Sequence, residues 1–346
     1  TADEAIAAFD GSKNAFAGLY NTLDKPSAVV NGTCTDTQGS SDATTGAIQF
    51  NLELAASGEK EISMILGATD NEKNIAGFRT KYFGKFELYF QELKKDKQAM
   101  ISRNRVKTPD VHLSRMMNGW IRHGTLYGAD WCRWGWKGYR DIVQHGLGVA
   151  SFAPRRTREI LLEALKYQYK SGLALRGWDP IDEKPYSDSA LWLVFTLTAY
   201  LKETGDFGLL DEKISYYDTG TGTVLQHIER ALDFLENNKG AHGLCLIKFG
   251  DWNDSLTTVG KDGRGESVWL SEAYAEAMLH MADMSGFLKD DGKKQDYLLR
   301  YDRMKEAINK NAWDGGWYVR CFDDNGRPVG SKENEQGKIF LEAQTW

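Results

Sequence analysis

The chain is poor in the residues that build the commonest ready-made chemistries. Its four cysteines, Cys34, Cys132, Cys245 and Cys321, are scattered over 346 residues with no C-x-x-C among them. That excludes a disulfide framework and a cysteine-based zinc pattern. The six histidines form no H-E-x-x-H, which removes the zinc-protease helix as well. Positive charge is not in excess: the formal net charge is −6, which argues against a general electrostatic grip on nucleic acid or anionic lipid. The longest apolar runs, such as ALWLVFTLTAYL at 190–201, fall short of a membrane span. Without a disulfide framework a cytoplasmic location is the default expectation, and the glycosylation tripeptide Asn31-Gly32-Thr33 is one that chance also produces. The chain starts TADEAIAAF, without Met or a signal-like segment, and stops at LEAQTW inside an apolar pattern, so both ends read as cut.

What is present is ordinary except for its aromatics. Hydrophobic residues make up 41% and charged ones 27%, the balance of a soluble globular protein. Aromatic residues reach 12%, with 11 tryptophans. They serve either as core or as the flat apolar faces that carbohydrate sites set beside polar groups. The length allows one large core or two domains.

Three textures follow one another. Residues 1–68 are rich in Gly, Ser, Thr and Asn, and the alternating stretches AIQFNLEL (47–54) and KEISMILGA (60–68) predict a β-hairpin or paired edge strands. Two strands cannot close a sandwich, so this region reads as the C-terminal part of a β-sandwich domain. Residues 69–105 are charged, with apolar side chains at helical spacing, and read as a helical linker of one or two helices. From 106 to 346 the chain is mainly α, with helices expected at 109–124, 156–172, 187–204, 222–238, 268–287 and 293–312. SDSALWLVFTLTAYLKETGD is apolar on nearly every face in its middle and belongs inside a helical assembly, whereas TREILLEALKYQYKSG should expose one side. Paired helices with long loops between them suggest an α/α toroid. Near the end, WYVRCF, DNG and PVG read as a hairpin.

Four loops carry candidate chemistry. FGDWNDSL (249–256) sets Asp251 and Asp254 around Trp252 and Asn253. It is either an Asx-rich turn or the site of an acid kept protonated by its indole neighbour, as glycosyl transfer needs. WCRWGWKGYRDIVQHG (131–146) crowds Arg133, Lys137, Arg140, Asp141, Gln144 and His145 among aromatics, a mixture costly to bury without partners or a ligand. A surface Arg–Asp pair is its plainer reading. RGWDPIDEKPYSDS (176–189) places Asp179, Asp182 and Asp188 around Trp178 and Tyr186, or else is a solvated connection in which Ser187 or Asp188 caps the next helix. GKDGRGESVW (260–269) is Gly-rich but fits neither the P-loop nor G-x-G-x-x-G. Each loop has a bland explanation, yet loops on one rim of a toroid converge.

GDWNDSL, VGKDGRGESVWL, WDGGWYVRCFDDNGRPVGS and EAQTW, in that order and spacing, resemble glycoside hydrolase family 94, and GYRDIVQHG, YSDSALWL and YLKETGD have counterparts upstream. The resemblance covers about residues 60–346, and its texture is most like the 1,2-β-oligoglucan phosphorylases. It implies an (α/α)6 barrel, incomplete here, preceded by the end of a β-sandwich domain and a helical linker. It further implies inverting phosphorolysis of β-linked, and by texture β-1,2-linked, glucooligosaccharides to α-D-glucose 1-phosphate. Phosphate is the nucleophile, and no metal or organic cofactor is needed. By position Asp254 is the general acid, Trp252 contacts the sugar, Arg140 and Asp141 bind its hydroxyls, and Asn253 and Glu266 complete the substrate site. Where family members carry an arginine for phosphate this chain has Ala153, which leaves Arg156 or Arg155 as substitutes. The remaining phosphate ligands, a histidine and a Thr-Gly pair, have no counterpart within the 346 residues, so the chain alone is expected to phosphorolyse negligibly. Family precedent points to homodimers.

Two other readings compete. An inverting hydrolase on the same barrel needs a carboxylate about 6.5–9.5 Å from the acid to activate water, and Asp188 and Glu266 are the candidates. The other is a non-catalytic carbohydrate-binding module.

Overall fold

Local alternation produces one strand pair near the start of the chain, but not the expected one. Strand β1 (Ala8–Ser12) runs antiparallel to β2 (Thr44–Gln49), with Phe9 opposite Ile48. Residues 47–49 therefore do enter a strand. The segment 60–68, expected to pair with them, contributes only an isolated bridge between Ala2 and Met64. Asp10 supplies a physical reason: it is buried, and its Oδ1 accepts from the amides and hydroxyls of both Thr35 and Thr37, tying that loop to β1. Bonds spanning that much sequence leave no trace in local periodicity.

The structure, a computed structural model, describes residues 1–39, 43–69, 71–132 and 136–346. It divides into two compact units, Thr1–Lys97 and Gln98–Trp346. The charged stretch after the strands forms two helices, α1 (Asn74–Tyr82) and α2 (Phe86–Ser102), as its spacing predicts.

The second unit is mainly helical. Helix α3 (Ile121–Trp131) is followed by α4 (Tyr139–Val149), α5 (Pro154–Leu165), α6 (Trp192–Thr204), α7 (Val224–Glu236), α8 (Val268–Phe287) and α9 (Asp291–Asn311). In α5 the proline sits in the first turn, and Thr157, Ile160, Leu161, Ala164 and Leu165 form one buried stripe, so the opposite side is exposed as expected. Helix α6 buries every residue from Trp192 to Thr198, and α8 is similarly enclosed, which makes them the inner helices. Helix α9 buries only Tyr297, Met304 and Ile308 and lies outside, paired with α8. The helix expected to run to residue 172 stops at Leu165, where the chain turns back through Tyr169 and Gly172. Helix α4 went unforeseen. Its buried Tyr139, Ile142, Val143, Gly146 and Val149 keep helical spacing, but the polar residues between them masked the pattern.

Short strands tie helix starts to loops. Strand β3 (Lys137–Gly138), which leads into α4, pairs with β4 (Gly177–Asp179), and β4 pairs with β5 (Ile181–Asp182). Strand β6 (Glu266–Ser267), which leads into α8, pairs with β7 (Cys321–Phe322), whose other neighbour is β8 (Pro328–Val329). The hairpin expected around DNG is thus present and gains a third strand. Among the described residues no helix is long and apolar enough to cross a membrane.

Candidate active site

The FGDWNDSL loop is braced from three directions. The amide of Phe249 donates to the Pro185 carbonyl at 3.1 Å, and the Ser187 amide donates to the Gly250 carbonyl at 3.0 Å. A Cβ on Gly250 would stand 2.8 Å from the Tyr186 ring, so only glycine allows this approach. Asp251 is 1% exposed. It accepts from the Ser267 hydroxyl at 2.5 Å and the Asn253 amide at 2.8 Å. Burial, reinforced by Asp188, pushes its pKa up to about 7 against those two bonds. Asn253 accepts from the amide and hydroxyl of Ser255, and its Nδ2 donates to Glu342 at 2.5 Å. Glu342 accepts in turn from Arg320 Nε at 2.7 Å, and Arg320 Nη2 donates to the Ser255 hydroxyl. Trp252 stacks on the buried Trp269, ring centres 5.6 Å apart, and stays 42% exposed.

This bracing presents Asp254 at the loop's outer turn with its side chain 60% exposed, 2.5 Å from Arg140 Nη2. Arg140 comes from the first turn of α4. Its Nη1 donates to the Asp251 carbonyl at 2.5 Å and lies 3.5 Å from Asp188. Burial lowers the affinity of this guanidinium for its proton, but Asp188 and Asp254 outweigh it and leave the pKa raised. Asp188 is wholly buried, and burial raises its pKa despite Arg140 and a 3.1 Å bond from Trp192 Nε1. Trp136, Arg140, Asp141, Arg176, Tyr186, Ser189 and Asp254 line a common cleft with a free volume of about 30 Å³. A pyranose enters it only when the side chains at its mouth part.

The structure thus brings together Asp254, Arg140, Asp141, Trp252 and Asn253, with qualifications. Trp252 does not desolvate Asp254: the indole lies on Trp269, and the acid faces solvent and a cation. Asn253 braces the loop through both ends of its amide. Glu266 does not line the cleft. It is 2% exposed and accepts from the His242 and Leu244 amides and the His242 ring, so it fastens the turn ahead of the loop. Arg156 also lies off the cleft lining. Its guanidinium meets Asp130 at 2.8 Å, Glu159 at 3.2 Å and the Ala129 carbonyl at 3.1 Å. Arg155 is almost fully exposed and pairs with Glu159.

The remaining loop residues divide between scaffold and site. Neither Ser187 nor Asp188 caps the following helix. Ser187 donates to the Ile247 carbonyl, and Asp188 serves Arg140 and Trp192. His145 pairs with the Gly128 carbonyl and Lys137 with Glu163, while Arg133 falls outside the described residues. The amides of the GKDGRGE loop are spent on the Asp324 carboxylate, which accepts from Asp262, Arg264 and Gly265. Arg176, Tyr186, Arg320 and Glu342 lie within the stretches RGWDPIDEKPYSDS, WYVRCF and EAQTW, but residue type alone gave them no role. Among the described residues no group of three His, Cys, Asp or Glu is placed to hold a metal ion.

The family model "Glycosyl hydrolase 94 superfamily, catalytic domain" matches residues 97–346, and "Glycosyl hydrolase 94, supersandwich domain" matches 1–84. A solabiose phosphorylase from Paenibacillus borealis is 37% identical over 98% of this chain and 44% of its own length. A 3-O-beta-D-glucopyranosyl-beta-D-glucuronide phosphorylase from the same organism is 30% identical over 99% of this chain and 46% of its own. A 1,2-beta-oligoglucan phosphorylase from Listeria innocua is 29% identical, but over 37% of this chain and 13% of its own length. The chain therefore spans a little under half the length of the first two relatives.

Proposed function

The chain belongs to glycoside hydrolase family 94, and from that premise we propose that it carries the acid and sugar-binding part of an inverting glycoside phosphorylase. The observation that carries the reading is the Arg140–Asp254 pair at the mouth of an aromatic-lined cleft. An alkoxide is a poor leaving group, so the glycosidic oxygen must take a proton as the C1–O bond breaks. Asp254 supplies that proton. A phosphate oxygen forms the new bond at C1 from the opposite face, giving a sugar 1-phosphate of inverted configuration and a shortened acceptor. Asp254 is left as a carboxylate and regains its proton from solvent.

In the unliganded cleft Asp254 is paired with Arg140. Sugar hydroxyls offer Arg140 new acceptors in place of Asp254, while the sugar body excludes water from the acid. Asp141, on the same helical turn, is placed for further sugar hydroxyls. A hydrolase has less support: Asp188 is wholly buried, and both oxygens of Glu266 are committed to the chain.

The substrate is a β-linked glucosyl oligosaccharide. The β-1,2 linkage expected from the sequence has thin support, because the 1,2-beta-oligoglucan phosphorylase aligns over little of the chain and the solabiose phosphorylase over nearly all of it. A panel of β-1,2, β-1,3 and β-1,4 disaccharides and oligomers, assayed with and without phosphate on the longest natural chain containing this sequence, tests the reading. Phosphate-dependent release of sugar 1-phosphate is expected. Free monosaccharide released without phosphate would establish the hydrolase instead.

A further inference from the structure

Arg176 is the cleft residue to which neither the motifs nor the acid chemistry gives a task. Its backbone is fixed: its amide donates to the Asp182 carbonyl at 2.9 Å, and its carbonyl accepts from the Tyr139 amide at 2.8 Å, at the start of the helix carrying Arg140. Its guanidinium stands 4.7 Å from the centre of the Tyr186 ring and 5.4 Å from that of Trp136. A Cβ on Gly177 would lie 2.9 Å from the Trp136 ring, so the indole is packed flat on the β3–β4 strand pair. One hydrogen bond, from Nη1 to Asp182 at 3.0 Å, reaches the guanidinium, which otherwise rests against the two rings. Among the described residues its Nε and Nη2 have no hydrogen-bond partner.

Arg122 shows what a scaffold arginine looks like in the same chain. It is 5% exposed and donates to the carbonyls of Met100, Ile101, Arg103 and Asn104. Arg176 has the opposite profile, with its side chain 29% exposed and most of its donors unspent. Tyr186 also faces Arg140, 5.4 Å from its ring centre. Two cations therefore share one phenol ring beside Asp254, an arrangement costly for packing alone. A planar guanidinium and an indole side by side suit a pyranose, which offers paired hydroxyls at its edge and C–H groups on its face.

We propose that Arg176, backed by Trp136 and Tyr186, is a specificity-determining residue that binds the hydroxyl edge of the sugar whose bond is cleaved. This rests on the phosphorolysis reading and names the far wall of the same site. The test compares Arg176→Ala and Arg176→Lys with Asp182→Asn in the longest natural chain. Asp182→Asn breaks the ion pair but leaves the guanidinium between its rings. Arg176→Ala should raise the oligosaccharide KM at least about tenfold, the worth of a lost charge-assisted bond, with the phosphate KM unchanged. Arg176→Lys should recover only part, because an ammonium cannot fork to two hydroxyls. Asp182→Asn should change the oligosaccharide KM by less than about threefold, as expected of an exposed ion pair. The proposal fails if Arg176→Ala keeps the wild-type KM, or if Asp182→Asn matches it, since the ion pair would then be structural. If the unmodified protein shows no phosphorolysis, that reading fails first. Glucose titration by tryptophan fluorescence then decides this one: binding lost in Arg176→Ala but kept in Asp182→Asn sustains it, and any other result ends it.

Discussion

Two regions lie within one loop's thickness of each other and obey opposite physics. Under the FGDWNDSL loop, Asp251, Asp188 and Glu266 are all at most 2% exposed and bonded to amides, hydroxyls, an indole or Arg140. Along the cleft, Asp254, Arg140 and Arg176 are partly exposed, and the described contacts leave their bonding capacity incompletely used. Residue type does not tell these regions apart, since both are acidic beside tryptophan. Desolvation and commitment of lone pairs do. A buried carboxylate committed to the chain's own donors is a brace, although Asp188 Oδ1 has no hydrogen-bond partner among the described residues. An exposed carboxylate held by an arginine can exchange that cation for a ligand.

The comparison breaks most plainly at Asp254. Asp254→Asn keeps the shape and removes the transferable proton, so phosphorolysis in the full-length protein should fall about 10²–10⁴-fold. The thermal midpoint should move by no more than about 2 °C, because the side chain touches little besides Arg140. A near-normal rate in this variant would move Asp254 out of the catalytic wall. Glu266→Ala should do the reverse. It strips the acceptors from the His242 and Leu244 amides, which should cost about 3 kcal/mol in urea denaturation. Sugar affinity of the folded fraction should hold. If affinity collapses and stability survives, Glu266 is the substrate contact that family resemblance made it.

The buried floor was the part hardest to read beforehand, and the reason is physical. The stripe of α5 and the enclosure of α6 follow from periodicity, which is local, and the DNG hairpin follows from turn chemistry, also local. The strand pair β1–β2 depends on Asp10 reaching Thr35 and Thr37, and the loop's bracing depends on Glu342 reaching Asn253 from the far end of the chain. Neither leaves a local pattern. Asp254, Arg140 and Asp141, which the motifs single out, line one cleft. The motifs gave Asp254 the acid's role and Glu266 a sugar contact, but only three-dimensional burial shows that Glu266 is enclosed while Asp254 faces the cleft.

The smallest expected effect lies at Asp251 and sharpens the comparison most. Its pKa of about 7 in the folded protein stands above the ordinary value near 4 that the unfolded chain has. Between those two pH values the folded state holds a proton that the unfolded state releases. Stability from this group is therefore complete below about pH 4, declines as pH rises at up to about 1.4 kcal/mol per unit, and stops changing above about pH 7. Asp251→Asn removes the titration; its Oδ1 still accepts from the Asn253 amide, and its Nδ2 donates to the Ser267 hydroxyl where the carboxylate accepted. Urea denaturation at pH 5 and pH 8 should show the natural chain losing about 2 kcal/mol more than the variant across that interval. Other titrating groups are common to both chains and largely cancel in the difference. Parallel loss in the two would mean that Asp251 stays ionised under the loop. The floor would then carry full negative charge beside Asp188, and Arg140 would be held there more tightly than a residue that must release Asp254 to a sugar can afford.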